Sequence, residues 1–284
     1  MIGIDSTDLT VQVLDPLNDR ARLGSRYCTG GYIWQVRDRS GRGLLSGPRY
    51  PDSNPPVFDG QGMPEAFETP LSGADEPVGG EVLVIGVGKV RKSSGIEPFH
   101  PRNNPEVLEF CNWDVHVSSG CVNMLTTHES DGHKLQLERS VEVVENRVVS
   151  RSQIVNLGRK DVSFFWFAHP FFPLNQNLSC GNIVPSVELP PNQGYMLSPD
   201  GAVFMKKDYP WQKGLFQPLV AQWGKPLEIV SAHPVCGQIK LQVDFPVVRF
   251  PLWANANTFS FEPFLEKRVV PGDSYCWSIS YMFG

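Results

Sequence analysis

Two residues suited to proton transfer stand in strongly aromatic surroundings. His169 lies in Phe164-Phe165-Trp166-Phe167-Ala168-His169-Pro170-Phe171-Phe172, and Glu262 in Phe259-Ser260-Phe261-Glu262-Pro263-Phe264. A histidine titrates near neutrality, so it can give or take a proton during a reaction, and a carboxylate can act as the opposite partner. Each also has an ordinary structural reading: a core histidine satisfied by backbone, or a solvated glutamate on a polar strand face. A third cluster, His128-Glu129-Ser130-Asp131-Gly132-His133, carries ligand-type side chains. Asp131-Gly132 reads as a tight hairpin turn and no second cluster joins it, so no metal site is expected. Gly86-Val87-Gly88-Lys89 lacks the third glycine of a dinucleotide loop, the Gly-Lys-Ser/Thr ending of a phosphate loop, and a following helix. A glycine-bearing strand or bulge is expected there.

Strands must position these groups. Alternating apolar and polar residues occupy 9–15, 32–38, 81–92, 113–119, 134–157, 162–172 and 239–245, separated by Gly, Pro, Asn and Asp. Residues 105–110 form the only helix-like stretch and are too short to matter. Period-two alternation sends Phe259 and Phe261 to one face, and Ser260 and Glu262 to the other. A turn at 269–273 and a returning stripe of Tyr275, Trp277, Ile279, Tyr281 and Phe283 predict a terminal hairpin. Glu262 then faces either water or the wall of a polar pocket.

The 284 residues include 25 Pro and 26 Gly, which implies many short elements joined by turns. With 41% hydrophobic residues the chain can build a sizeable core. No composition break divides it, so residues 1–284 read as one large antiparallel β-domain. A net charge of -5 with no basic stripe argues against nucleic acid as a partner. No apolar run reaches the length of a membrane span. The start lacks the basic and apolar regions of a secretory signal, and six scattered cysteines form no CxxC pair. Reduced thiols and a cytoplasmic location are expected.

Taken together, the pieces resemble the galactose mutarotase-like (aldose 1-epimerase-like) superfamily. Asn156-Leu157-Gly158 followed by Ala168-His169-Pro170-Phe171-Phe172 is similar to its catalytic histidine strand. Glu262, ahead of Pro271-Gly272-Asp273-Ser274-Tyr275 and of Tyr281-Met282-Phe283, is similar to its catalytic glutamate and closing segment. Residues 25–36, 60–67 and 85–92 resemble an uncharacterised bacterial branch of the superfamily. The likeness spans nearly the whole chain in order. It implies a β-supersandwich with an open sugar-binding cleft, needing no metal, nucleotide or other cofactor. The HGG loop of better-studied members has no counterpart; His100 and Asp244 are the candidates for its second histidine and its hydroxyl-holding aspartate.

The activity implied is interconversion of the anomers of a sugar, with Glu262 as base and His169 as acid, about 5–9 Å apart across a sugar ring. Arg26, Lys92 and His100 are candidates for hydroxyl or phosphate contacts, and Trp34, Trp166 and Trp253 for stacking. Two alternatives stay open: a non-catalytic carbohydrate-binding or sensing protein on the same fold, and an epimerase of a phosphorylated sugar. The last needs a basic cluster, for which Arg26, Lys89, Arg91 and Lys92 are candidates. Residues 47–80 are expected to form an ordered flap, with Glu65 reaching substrate or capping a turn.

Overall fold

The computed structural model describes residues 1–52, 54–221 and 225–284, so that Ser53, within the expected flap, lies outside the described residues. Strands follow the alternating segments. Ten of them form one antiparallel sheet. Its long centre is made by Gly237–Val243, Ser274–Phe283, Arg147–Asn156, His133–Val144 and Cys121–Ser130, side by side in that order. Period-two alternation gives each long strand one buried and one more exposed face: in Arg147–Asn156, Val148, Ser150, Ser152, Ile154 and Asn156 are buried, and the residues between them are not.

Two smaller sheets cover the apolar face. One is Phe264–Val269, Val162–Ala168 and Glu65–Phe67; the other is Phe172–Pro173, Thr258–Phe261, Phe250–Ala254 and Leu215–Leu219. Aromatic side chains join the layers. Phe164 stacks on Trp277 with ring centres 5.2 Å apart, Trp166 meets Trp277 edge-on at 5.5 Å, and Phe172 lies 6.5 Å from Tyr281. Such rings each remove a large apolar area from water, which is the main stabilising contribution of this core. The architecture is all-β, a sandwich of large antiparallel sheets.

The terminal hairpin does not form. Phe264–Val269 pairs with Val162–Ala168, from Val162↔Val269 to Phe167↔Phe264, while Ser274–Phe283 pairs with Arg147–Asn156 and Gly237–Val243. The turn at Gly272 (φ +83) therefore carries the chain from one layer to the other. Two apolar stripes can bury against each other only from opposite layers, and burial outweighs the local turn signal. The stretch at 105–110 is also not helical: Val107–Phe110 is a strand paired with Gly88–Arg91.

Asp131 and Gly132 do form a hairpin turn, with φ +52 and +82. His128 is buried and its Nε2 accepts the backbone N–H of Gly86 at 2.9 Å. Gly86 (φ +72) sits where an added Cβ would lie 2.4 Å from the Cys28 sulfur, so the turn before Gly88–Arg91 requires glycine. Among the described residues, no group of three or more His, Cys, Asp or Glu is placed to hold a metal ion. No helix among them is long and apolar enough to cross a membrane.

Candidate active site

Where the two smaller sheets meet, both present residues to one cleft of about 640 Å³. This is within the ~300–1,000 Å³ usual for small-molecule sites. Val162–Ala168 turns Phe164 and Trp166 into the core, so the opposite parity, Phe165, Phe167 and His169, points away from it. The chain is fixed there by neighbouring backbone: His169 N–H donates to Pro64 O at 2.8 Å and Phe171 N–H to Gly62 O at 2.8 Å. Gly62 (φ +79) passes so close to Ile33 and Trp34 that a Cβ would lie 2.3 Å from a carbonyl oxygen. Across the cleft floor, Thr258–Phe261 buries Phe259 and Phe261 in the core and aims Ser260 and Glu262 at His169.

The three side chains meet. His169 Nδ1 lies 2.8 Å from Ser260 Oγ, and His169 Nε2 lies 3.4 Å from Glu262 Oε1. His169 is 4% exposed and Glu262 5%. Phe171, Phe167, Trp253 and Tyr27 surround the imidazole, with ring centres 4.3, 5.8, 6.0 and 6.2 Å away. This wall keeps water from the ring, so burial lowers the His169 pKa well below 6.5, and the Arg26 charge lowers it further. Burial also pushes Glu262 up to about 8, against the opposing fields of Arg26, Arg249 and Arg102. Both groups are therefore mainly neutral at pH 7, and the pair holds one proton between the two titrations. The Ser260 hydroxyl can donate or accept, so either tautomer of His169 is satisfied. Ser260 itself is fully buried and absent from the cleft wall, which leaves it no route to act as a nucleophile.

Arg26, His100 and Trp253 line the cleft. His100 Nε2 lies 3.0 Å from Glu68 Oε1, and Trp253 meets His169 edge-on. Lys92 does not reach it. Its Nζ donates to Ala74 O at 2.7 Å and pairs with Glu97 at 2.6 Å, away from the cleft. Lys89 pairs with Glu109 and Arg91 with Glu106, so the expected basic cluster contributes only Arg26. Asp244 binds the backbone N–H of Ser278 at 2.6 Å and lies outside the cleft. Trp166 is core, and Trp34 packs under Arg22. Glu65 neither faces the cleft nor caps a turn; it pairs with Arg139 inside the protein. The 47–80 stretch supplies Pro48, Phe58, Asp59, Ala66, Phe67 and Glu68 to the wall. Sequence reasoning missed Arg102, Arg249 and Ser260. The available signals were Arg102 two places after His100 and Ser260 two before Glu262, on the same strand face.

Comparison with solved structures fits this arrangement of sheets. A galactose mutarotase-related enzyme from Lactobacillus acidophilus superposes with a TM-score of 0.61 at 12% identity, covering 100% of this chain and 97% of that one. The fold is galactose mutarotase-like. A protein from Escherichia coli K12, provisionally described as an aldose 1-epimerase, gives 0.59 at 15% identity over 99% and 98% of the two chains. A galactose mutarotase-like protein from Lactobacillus casei gives 0.56 at 13% identity, with both chains covered completely. No family model and no curated protein matches the sequence. The galactose mutarotase-like fold is thus shared along the entire chain at identities too low to carry residue roles with it.

Proposed function

We propose that the protein is an aldose 1-epimerase-type isomerase, interconverting the anomers of a sugar through Glu262 and His169. The observation that carries this reading is the buried Glu262–His169 pair, 3.4 Å apart on the floor of an open cleft. That spacing is shorter than the 5–9 Å expected for groups flanking a sugar ring. The reaction itself accounts for the difference. Its two proton-exchanging atoms, the anomeric hydroxyl oxygen and the ring oxygen, are bonded to the same carbon, so acid and base serve best side by side.

With the shared proton on His169, the Glu262 carboxylate takes the proton of the anomeric hydroxyl while His169 gives its proton to the ring oxygen. The bond from the anomeric carbon to the ring oxygen breaks, leaving an open-chain aldehyde and a hydroxyl. Rotation about the C1–C2 bond turns the other carbonyl face to that hydroxyl. Ring closure then returns the hydroxyl proton to His169 and moves the Glu262 proton to the new anomeric oxygen. The pair ends as it began, and no covalent intermediate forms. Trp253, Phe167 and Phe171 offer apolar faces beside the pair for the C–H side of a sugar.

The test is anomer exchange, followed by NMR or polarimetry, over a panel of aldoses and their derivatives. Exchange well above the water rate is expected for at least one sugar that binds. Binding without any acceleration abandons the enzyme reading for that of a carbohydrate-binding protein on the same fold.

A further inference from the structure

Three guanidinium groups, Arg26, Arg102 and Arg249, line the cleft that holds His169 and Glu262. Among the described residues, none of the three lies within ion-pair distance of a carboxylate. Some basic side chains elsewhere are matched, such as Arg39 with Asp8, Arg42 with Asp38 and Lys89 with Glu109; what sets these three apart is that they converge on one cleft. The acids of the cleft are already engaged. Asp59 pairs with Arg49 at 2.9 Å, Glu68 with His100 at 3.0 Å, and Glu262 faces His169.

Two of the arginines lie over aromatic rings. Arg26 sits 4.8 Å from the ring centre of Tyr27 and 5.0 Å from that of Phe58, and donates to Phe58 O at 2.9 Å. Arg249 lies 4.9 Å from Phe264 and 5.3 Å from Phe216. A ring beside the guanidinium carbon attracts the charge and leaves N–H groups available for an acceptor. Arg102 is set by the short 3-10 turn Pro101–Asn103, whose first turn is closed by Arg102 N–H donating to His100 Nδ1 at 3.0 Å. The cleft wall contains no Asn or Gln among the described residues, the amides that would serve a purely hydroxylic ligand.

We propose that the cleft takes a sugar bearing an anionic substituent (phosphate or carboxylate), with Arg26, Arg102 and Arg249 binding the anion while His169 and Glu262 face the anomeric carbon. This rests on the proposed function for the orientation of the sugar, though not for the anion preference. Planar guanidiniums match such oxyanions with paired hydrogen bonds, which are stronger than those between neutral groups. A charged substituent also supplies acceptors for the N–H groups these guanidiniums do not already use.

Equilibrium binding separates this inference from the catalytic one, because it needs no turnover. Calorimetric titrations compare glucose with glucuronate and glucose 6-phosphate, and galactose with galacturonate and galactose 6-phosphate. At least one anionic sugar is expected to bind about tenfold or more tightly than its neutral parent, and the advantage should shrink as salt screens the arginines. The uronate and phosphate arms tell the two kinds of anion apart. Arg102→Gln and Arg249→Gln should each narrow the gap; both side chains are exposed, so the fold is spared, which a melting curve checks. If these arginines serve only to set the ionisation of Glu262, the affinity ratio stays unchanged and only the pH profile moves. Equal binding of charged and neutral sugars, or no binding of any anionic probe, overturns the inference. Anion preference without anomer exchange sinks the enzyme reading alone.

Discussion

Glu65 and Glu262 are buried alike, 4% and 5% exposed, yet their surroundings differ completely. Glu65 lies between the layers against Arg139, itself 1% exposed, and accepts from Ser150 Oγ. Arg139 is further held by Ser152 and Ser150 and reaches Gly30 O. Glu65 also anchors the site indirectly: its strand pairs with the end of Val162–Ala168, Ala168↔Glu65, one residue before His169. Glu262 has no such partner. Its nearest ionisable neighbour is a histidine that burial keeps neutral, and the arginines that act on it do so from within the cleft. One carboxylate is compensated in place and inert. The other is left with an ionisation that ligand and pH can shift, and this separates a buried carboxylate that holds a fold from one whose protonation is poised to change.

Breaking the compensated site should give the largest effect. Arg139→Met leaves the Glu65 charge buried without a partner, at a cost of about 3–5 kcal/mol, read as a lower denaturation midpoint or loss of soluble protein. Adding Glu65→Leu in the same chain should recover much of that loss, because no charge then remains uncompensated. Glu262→Gln reverses the pattern: the fold and sugar binding persist, and catalysis drops about 10²–10⁴-fold, since the amide can accept a hydrogen bond but cannot take a proton. A Glu262→Gln protein that keeps its anomer-exchange rate removes Glu262 from the mechanism. His169→Asn should lose activity similarly, with some stability as well, because the ring packs against Phe171 at 4.3 Å.

The contrast between the two glutamates was only half legible in the sequence. Period two in Phe259-Ser260-Phe261-Glu262 places Glu262 beside Ser260 and opposite the core, and the chain obeys it. Glu65 sits in a Pro/Gly-rich stretch with no readable alternation, so nothing local announces that it belongs to the interior. Its partner Arg139 is 74 residues away in a strand whose alternation reads as ordinary. The same limit governs the arginines. Arg26, Arg102 and Arg249, far apart in sequence, line one cleft only in the folded chain, whereas Lys89, Arg91 and Lys92, close to one another in sequence, find carboxylates elsewhere. The failed terminal hairpin has the same origin. Turn chemistry at 269–273 is local, but which layer each strand joins is decided by burial of Trp277, Ile279 and Tyr281 against Phe164, Trp166 and Phe172.

The folded pKa of Glu262 is raised from 4.5 to about 8, so its contribution to stability is fully present below about 4.5 and is lost as pH rises toward 8. Within that window each pH unit costs about 1.4 kcal/mol. Glu262→Gln has no such ionisation and should become progressively more stable than the wild type as pH rises from 5 to 8. For His169 the sign is opposite: its folded pKa is depressed, so its contribution is present above 6.5 and is lost as pH falls. The rate should follow the pair. On the proposed mechanism catalysis needs one proton shared between Glu262 and His169, so kcat/KM should be flat near neutrality and fall above about 8, where that proton leaves. A rate that instead climbs through pH 8 means that Glu262 works as an isolated base, independent of His169.

Ser260→Ala gives the smallest and most specific test. The hydroxyl is fully buried and, among the described residues, its one polar partner is His169 Nδ1, so its removal should cost about 1 kcal/mol of stability. An unpaired buried N–H is costlier than an unpaired lone pair, so the imidazole proton should settle on Nε2, facing Glu262. An Nε2–H donor favours the Glu262 carboxylate over its protonated form, and the alkaline limb of the pH–rate profile should move downward from about 8. Stability and the limb are measured on the same protein. If Ser260 merely fills space, stability falls and the limb stays where it is in the wild type. If it positions the histidine, the limb moves, and Glu262 is shown to be tuned through its neighbour in a way that Glu65, locked against Arg139, is not.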